Sequence, residues 1–188
     1  IADMDAYRAR LQTFVYASGT TMRPIFNLAR QAPRKRVAYA DLARDLAGLL
    51  SGETNLIAAA ANMSSLLYWS LPELNWVGFY LLDADSGDLL VGPFQGKPAC
   101  VRIPLGKGVC GTAAARRETV LVPDVHAFPG HIACDSASNS EVVVPIVAGG
   151  RLLGVLDLDS PVKRRFDADD ARGLERLVEV FLANVSVA

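Results

Sequence analysis

All three cysteines (Cys100, Cys110 and Cys134), both histidines (His126 and His131) and the carboxylates Glu141, Asp157 and Asp159 fall between positions 100 and 159. Thiols supply nucleophilic or redox chemistry, and acids beside them can hold a cationic substrate or deliver a proton. An odd cysteine count with no Cys-x-x-Cys pair argues against a secreted disulfide framework. Thiols free to cycle in a reducing cytoplasm are the expectation. Cys134 lies in a turn-rich segment, 124–140, of the length at which loops tend to carry function, but its neighbour Asp135 opposes thiolate formation. Cys110 falls near an expected helix N-terminus, where the dipole favours thiolate. Residue types alone leave both open as the reactive thiol.

Asp157 and Asp159 stand at i and i+2 in the apolar run Leu152-Leu-Gly-Val-Leu-Asp-Leu-Asp159, so a strand there puts both on one face. Such a pair is either a solvated strand end or a site for an ammonium group, with Glu141 on the neighbouring hairpin strand able to join it. Trp76 and Tyr80, four apart, share a strand face and could wall a small apolar group or simply fill the core. The cysteines and histidines match no usual zinc spacing, so no metal is expected. Gly106-Lys-Gly-Val-Cys-Gly111 has the letters of a dinucleotide-binding turn. The helix that follows is too short for a parallel crossover, which leaves a glycine-rich strand-to-helix turn whose amides could meet an anion.

The elements that must position these groups follow from periodicity. Apolar spacing predicts helices over 39–50 and 56–69, the second capped by Thr54 and ended at Leu71-Pro72. Strands are expected over 75–83, 89–94 and 99–105, a short helix over 109–116 and a strand over 119–122. A hairpin over 141–147 and 151–158 turns at Gly149-Gly150, and Asp167 caps a last amphipathic helix. Hairpin-linked strands with helices at both ends define an α+β fold with a central, mainly antiparallel sheet flanked by N- and C-terminal helices.

With 188 residues and a net charge of −1, one domain is expected, with no global field favouring nucleic acid or an anionic membrane. No apolar run reaches the ~18 residues that span a bilayer. Residues 1–38 are read as an N-terminal arm of unassigned role and 39–188 as the catalytic domain. Positions 7–36 carry no acid and end on Arg34-Lys-Arg36, a composition that leaves organelle targeting open beside the cytoplasmic expectation.

Taken together, Asn75-Trp-Val-Gly-Phe-Tyr80, Gly92-Pro-Phe-Gln-Gly96, Gly106-Lys-Gly-Val-Cys-Gly111, His131-Ile-Ala-Cys-Asp135, Ser140-Glu141 and Gly154-Val-Leu-Asp-Leu-Asp-Ser160 resemble the GAF-domain free methionine-(R)-sulfoxide reductases. The likeness extends over 39–185. It implies a GAF fold, usually homodimeric, that reduces free L-methionine (R)-sulfoxide without a bound cofactor. By matching position it implies that Cys134 attacks the sulfoxide sulfur and becomes a sulfenic acid. Cys100 then resolves this to a disulfide that thioredoxin reduces, and Cys110 matches a third family cysteine, an alternative nucleophile or resolver. Glu141, Asp157 and Asp159 match acids that hold the ammonium group and assist protonation of the sulfoxide oxygen, and Trp76 and Tyr80 match the pocket wall. The competing expectation from another class is a non-catalytic GAF sensor of a small ligand or of oxidant.

Overall fold

The structure, a computed structural model, describes residues 32–132 and 135–186, the side chains of 32–34 and 37 apart. Cys134 therefore lies outside the described residues, as does most of the segment read as an N-terminal arm. Two helices open the described chain, α1 (Ala32–Leu49) and α2 (Leu56–Ser70). They are followed by β1 (Trp76–Leu82), β2 (Leu89–Gly96), β3 (Arg102–Ile103), α3 (Gly108–Arg116) and β4 (Val120–Val122). A 3₁₀ turn at Val125–Ala127 leads through a long connection to β5 (Ser140–Ala148), β6 (Arg151–Ser160) and the closing helix α4 (Ala168–Asn184).

The six strands form one sheet in the order β3-β2-β1-β6-β5-β4, and every neighbouring pair is antiparallel. The glycine-rich turn before α3 thus opens no parallel crossover. It makes a tight corner instead: a Cβ at Gly111 would collide with the Pro104 carbonyl oxygen. Period-two alternation divides the sheet into two faces. Val77, Phe79, Val142, Val144, Leu156 and Leu158 pack against α1, α2 and α4 in the main core, and Trp76, Tyr80, Val143 and Val155 point to the other face, toward α3.

Three boundaries differ from the sequence expectation. Helix α1 is already formed at Ala32, ahead of Tyr39, and ion pairs from Lys35 and Arg36 to the start of α4 hold its early turns where apolar spacing gave no signal. Lys35 is buried, and its Nζ donates to Asp170 Oδ2 at 2.7 Å and Asp167 Oδ2 at 2.9 Å at the start of α4. Asp170 also accepts from Tyr39 Oη at 3.0 Å and closes the α4 capping box with Asp167. Asn55, not Thr54, caps α2, accepting from the Ala58 N–H at 3.0 Å. Strand β3 shrinks to Arg102–Ile103 because Pro104 has no N–H with which to continue the ladder.

Candidate active site

The β5–β6 hairpin turns at Gly149 and Gly150, both with positive φ, and its register sets Glu141 opposite Asp159 and Val143 opposite Asp157. On the other flank of β6, β1 places Trp76 opposite Asp159 and Gly78 opposite Asp157. Glu141, Asp157, Asp159, Trp76 and Tyr80 therefore share the sheet face away from the main core. The Trp76 ring stacks between Tyr80 and Phe94, with centroids 5.7 and 5.3 Å away, and its Nε1–H donates to the Lys97 carbonyl oxygen at 3.1 Å.

Helix α3 brings a thiol to the same place. Cys110, in its first turn, has Sγ 3.9 Å from Glu141 Oε1, and donor atoms of Cys110, Glu141 and Asp157 lie within 4.8 Å of one another. These three residues are 4%, 6% and 5% exposed, and Asp159 is half-buried, so Asp157 is not part of a solvated strand end. His131 reaches in from the long connection, its Nε2 3.9 Å from Glu141 Oε2. His126 instead meets Asn139 Oδ1 at 3.1 Å on the surface, so the histidines and cysteines weighed for zinc do not converge as one set.

Burial governs the electrostatics. Glu141 is pushed well above the usual carboxylate range, first by burial and then by Asp157 and Asp159, and Asp157 is raised by burial and by Asp159. Asp159 is pushed up to about 7, chiefly by burial. His131 is lowered, by burial and then by His126. Cys110 corrects the sequence expectation: burial, and then Asp157 and Glu141, hold its thiol well above the ordinary value. One helix end, worth typically 0.3–1 kcal/mol near the surface, does not outweigh desolvation beside carboxyl groups. Burial and mutual repulsion thus favour the protonated form of these carboxyls.

Residues that the sequence did not single out hold the rim. Asn75 Nδ2 donates to Asp135 Oδ2 at 3.1 Å and to Ser138 Oγ at 2.9 Å, while Lys97 Nζ reaches Asp135 Oδ1 at 3.4 Å. Asp135, already lowered by the Ala137 N–H and these partners, is therefore a pinned anion at the pocket edge. It borders two neighbouring cavities, one lined by Cys110, His131, Glu141 and Asp157 and the other by Trp76, Pro98, Ala99 and Asp157. Among the described residues no lysine or arginine lines either, and Asp157 Oδ1 is buried there without a hydrogen-bond partner. An orphaned buried carboxyl oxygen is costly, and a ligand donor is the usual remedy. Cys100, next to Ala99, is half-buried and disulfide-bonded, whereas Cys110 is a free thiol.

The antiparallel sheet with helices on both faces is that of a GAF domain, and the GAF family model matches residues 63–181. A free methionine-R-sulfoxide reductase of Escherichia coli (strain K12) is 57% identical over 140 residues, covering 74% of this chain and 84% of its own. One of Saccharomyces cerevisiae is 48% identical over 139 residues, covering 71% and 77%. The X-ray structure of free methionine-R-sulfoxide reductase from Neisseria meningitidis in complex with its substrate superposes with a TM-score of 0.78 at 42% identity, covering 85% of this chain and 92% of that one. The chain belongs to the free methionine-(R)-sulfoxide reductases, a family of GAF-domain oxidoreductases.

Proposed function

We propose that this chain reduces free L-methionine (R)-sulfoxide to methionine, with Cys134 as nucleophile and Cys100 as the resolving thiol. The observation that carries the reading is the convergence of buried Glu141 and Asp157 and half-buried Asp159 on one sheet face, with Asp157 Oδ1 unpartnered among the described residues. A free amino acid brings an ammonium group to satisfy such acids. A peptide-bound methionine offers an uncharged amide nitrogen, and the site discriminates against it. Trp76 and Tyr80 give the side-chain methyl an aromatic wall.

The chemistry follows from the same electrostatics. The Cys134 thiolate attacks the sulfoxide sulfur while a buried carboxyl, protonated in the resting site, gives its proton to the sulfoxide oxygen. The sulfur–oxygen bond of the substrate breaks, methionine leaves as a thioether, and the oxygen stays on Cys134 as a sulfenic acid. The Cys100 thiol then displaces that oxygen as water and forms a disulfide, which a dithiol protein of the thioredoxin type reduces. The state of the described cysteines supports this pairing, with Cys100 disulfide-bonded and Cys110 free. No bound cofactor enters any step. A homodimer in the cytoplasm completes the reading.

Thioredoxin-coupled NADPH consumption with free methionine (R)-sulfoxide tests it, comparing wild type with Cys100→Ser, Cys110→Ser and Cys134→Ser. Turnover in wild type and none in Cys134→Ser is the expected result. A dead Cys110→Ser beside an active Cys134→Ser would transfer the nucleophile to Cys110. No turnover in wild type, with a small dithiol reductant also inactive, would leave a ligand sensor.

A further inference from the structure

We propose that Cys110, Glu141, Asp157 and His131 form a binding site for a borderline-soft divalent cation of the zinc class, overlapping the substrate pocket. The donors are one thiol sulfur, two carboxyl groups and one imidazole, the ligand types that zinc takes in four-coordinate sites. Their spacing is close to what such an ion needs. Bonds of about 2.0–2.3 Å in a tetrahedron put ligand atoms roughly 3.3–3.8 Å apart. Here donor atoms of Cys110, Glu141 and Asp157 lie within 4.8 Å of each other, with Cys110 Sγ 3.9 Å from Glu141 Oε1, and His131 Nε2 approaches from the side of Glu141 Oε2, 3.9 Å away. Side-chain torsions must draw the donors together by up to about 1 Å to close the site.

A second observation points to a cation rather than to a mere crowd of acids. Asp157 is 5% exposed, and among the described residues its Oδ1 has no hydrogen-bond partner and no lysine or arginine lines the cavity it faces. Substrate ammonium answers that deficit when present, and a metal ion answers it otherwise. The thiol excludes magnesium and calcium as preferred occupants, since both seek a shell of oxygens. Cys110 is also outside the disulfide of Cys100, so the donor set stays complete after the enzyme has been oxidised. A bound ion occupies the space of the substrate's ammonium group and displaces the carboxyl and thiol protons to water. Binding stands on the donor set alone, while the overlap with substrate rests on the function proposed above.

Cobalt titration of the oxidised, chelator-treated full chain reads the site directly. One equivalent of Co²⁺ is expected to give a near-ultraviolet sulfur-to-cobalt charge-transfer band that zinc abolishes. Cys110→Ser removes the band, and Asp157→Asn and His131→Ala weaken cobalt affinity by at least roughly tenfold, the low end of what losing even an outer-shell partner costs. Circular-dichroism melts confirm that each variant is folded. Free methionine (R)-sulfoxide is expected to displace the ion and lower its apparent affinity. No band at stoichiometric cobalt, or a band that survives in Cys110→Ser, overturns the site. A band indifferent to saturating sulfoxide overturns the overlap. Failure of the proposed reaction shows elsewhere, as absence of methionine in the turnover assay, and leaves the cobalt band in place.

Discussion

Replacing Asp159 by asparagine is expected to stabilise the folded protein at neutral and alkaline pH while weakening catalysis. Burial is the largest cause of the upward shift of this carboxyl to about 7, Asp135 adds to it, and a hydrogen bond with Ser138 opposes it. In the unfolded chain the same group loses its proton near 3.8. Between those two values the folded state holds more protons than the unfolded one, so this group's contribution to stability falls as pH rises and is fully lost above about 7. At about 1.4 kcal/mol per tenfold change in proton affinity, the difference amounts to roughly 4 kcal/mol. That is a ceiling, because Glu141 and Asp157 share the burden and relax when one charge is withdrawn. Asp159→Asn keeps an oxygen acceptor for Ser138 and cannot ionise. Its advantage over wild type should therefore be near zero at about pH 4 and grow toward about 4 kcal/mol by about pH 8. Urea unfolding of both proteins across that range measures it, and comparing them cancels the opposite contribution of His131. Meanwhile kcat/KM for free methionine (R)-sulfoxide should fall by roughly 10–100-fold, the worth of one hydrogen bond to a charged group. A stability difference that is flat in pH, or that favours wild type at high pH, would refute the claim that this acid is held protonated by its burial.

Asp170→Ala should destabilise the fold by about 3–5 kcal/mol, because it strands the buried Lys35 and Arg165 that converge on this carboxylate. Chemical denaturation checks it, and turnover per folded molecule should be unchanged. Gly78→Ala puts a methyl against Phe94 Cβ and 2.5 Å from Trp76 Cη2, so the pocket wall must move. A fall in kcat/KM of about tenfold or more is expected, with KM taking the larger part, and unaltered steady-state constants would show that the Trp76 ring position is immaterial. Asn55→Ala should lower stability by ~1 kcal/mol through loss of the α2 cap, whereas Thr54→Ala should have little effect, a contrast that thermal melts resolve.

Period-two alternation made the hairpin, and the sharing of one face by Glu141, Asp157 and Asp159, legible in the sequence, because strand geometry alone dictates both. Legibility stopped where long-range contacts decide. Lys35 looks like a solvent-facing residue until Asp167 and Asp170, far along the chain, supply its counter-charges, so apolar spacing could not find the first turns of α1. Likewise the strand pattern could not tell a solvated acidic pair from a buried one. What buries Asp157 is the covering by α3, in a part of the chain with no pattern linking it to β6. Cys110 exposes the deeper reason. Its place at a helix start promised a thiolate, yet the acids it meets are neighbours only in three dimensions. Sulfoxide reduction asks for two opposed environments, one that keeps a carboxyl protonated for the departing oxygen and one that lets a thiol ionise. Burial among like charges serves the first and suppresses the second. A thiol inside the acid cluster is therefore poorly placed to be the nucleophile. This is the physical ground against Cys110 as the attacking thiol.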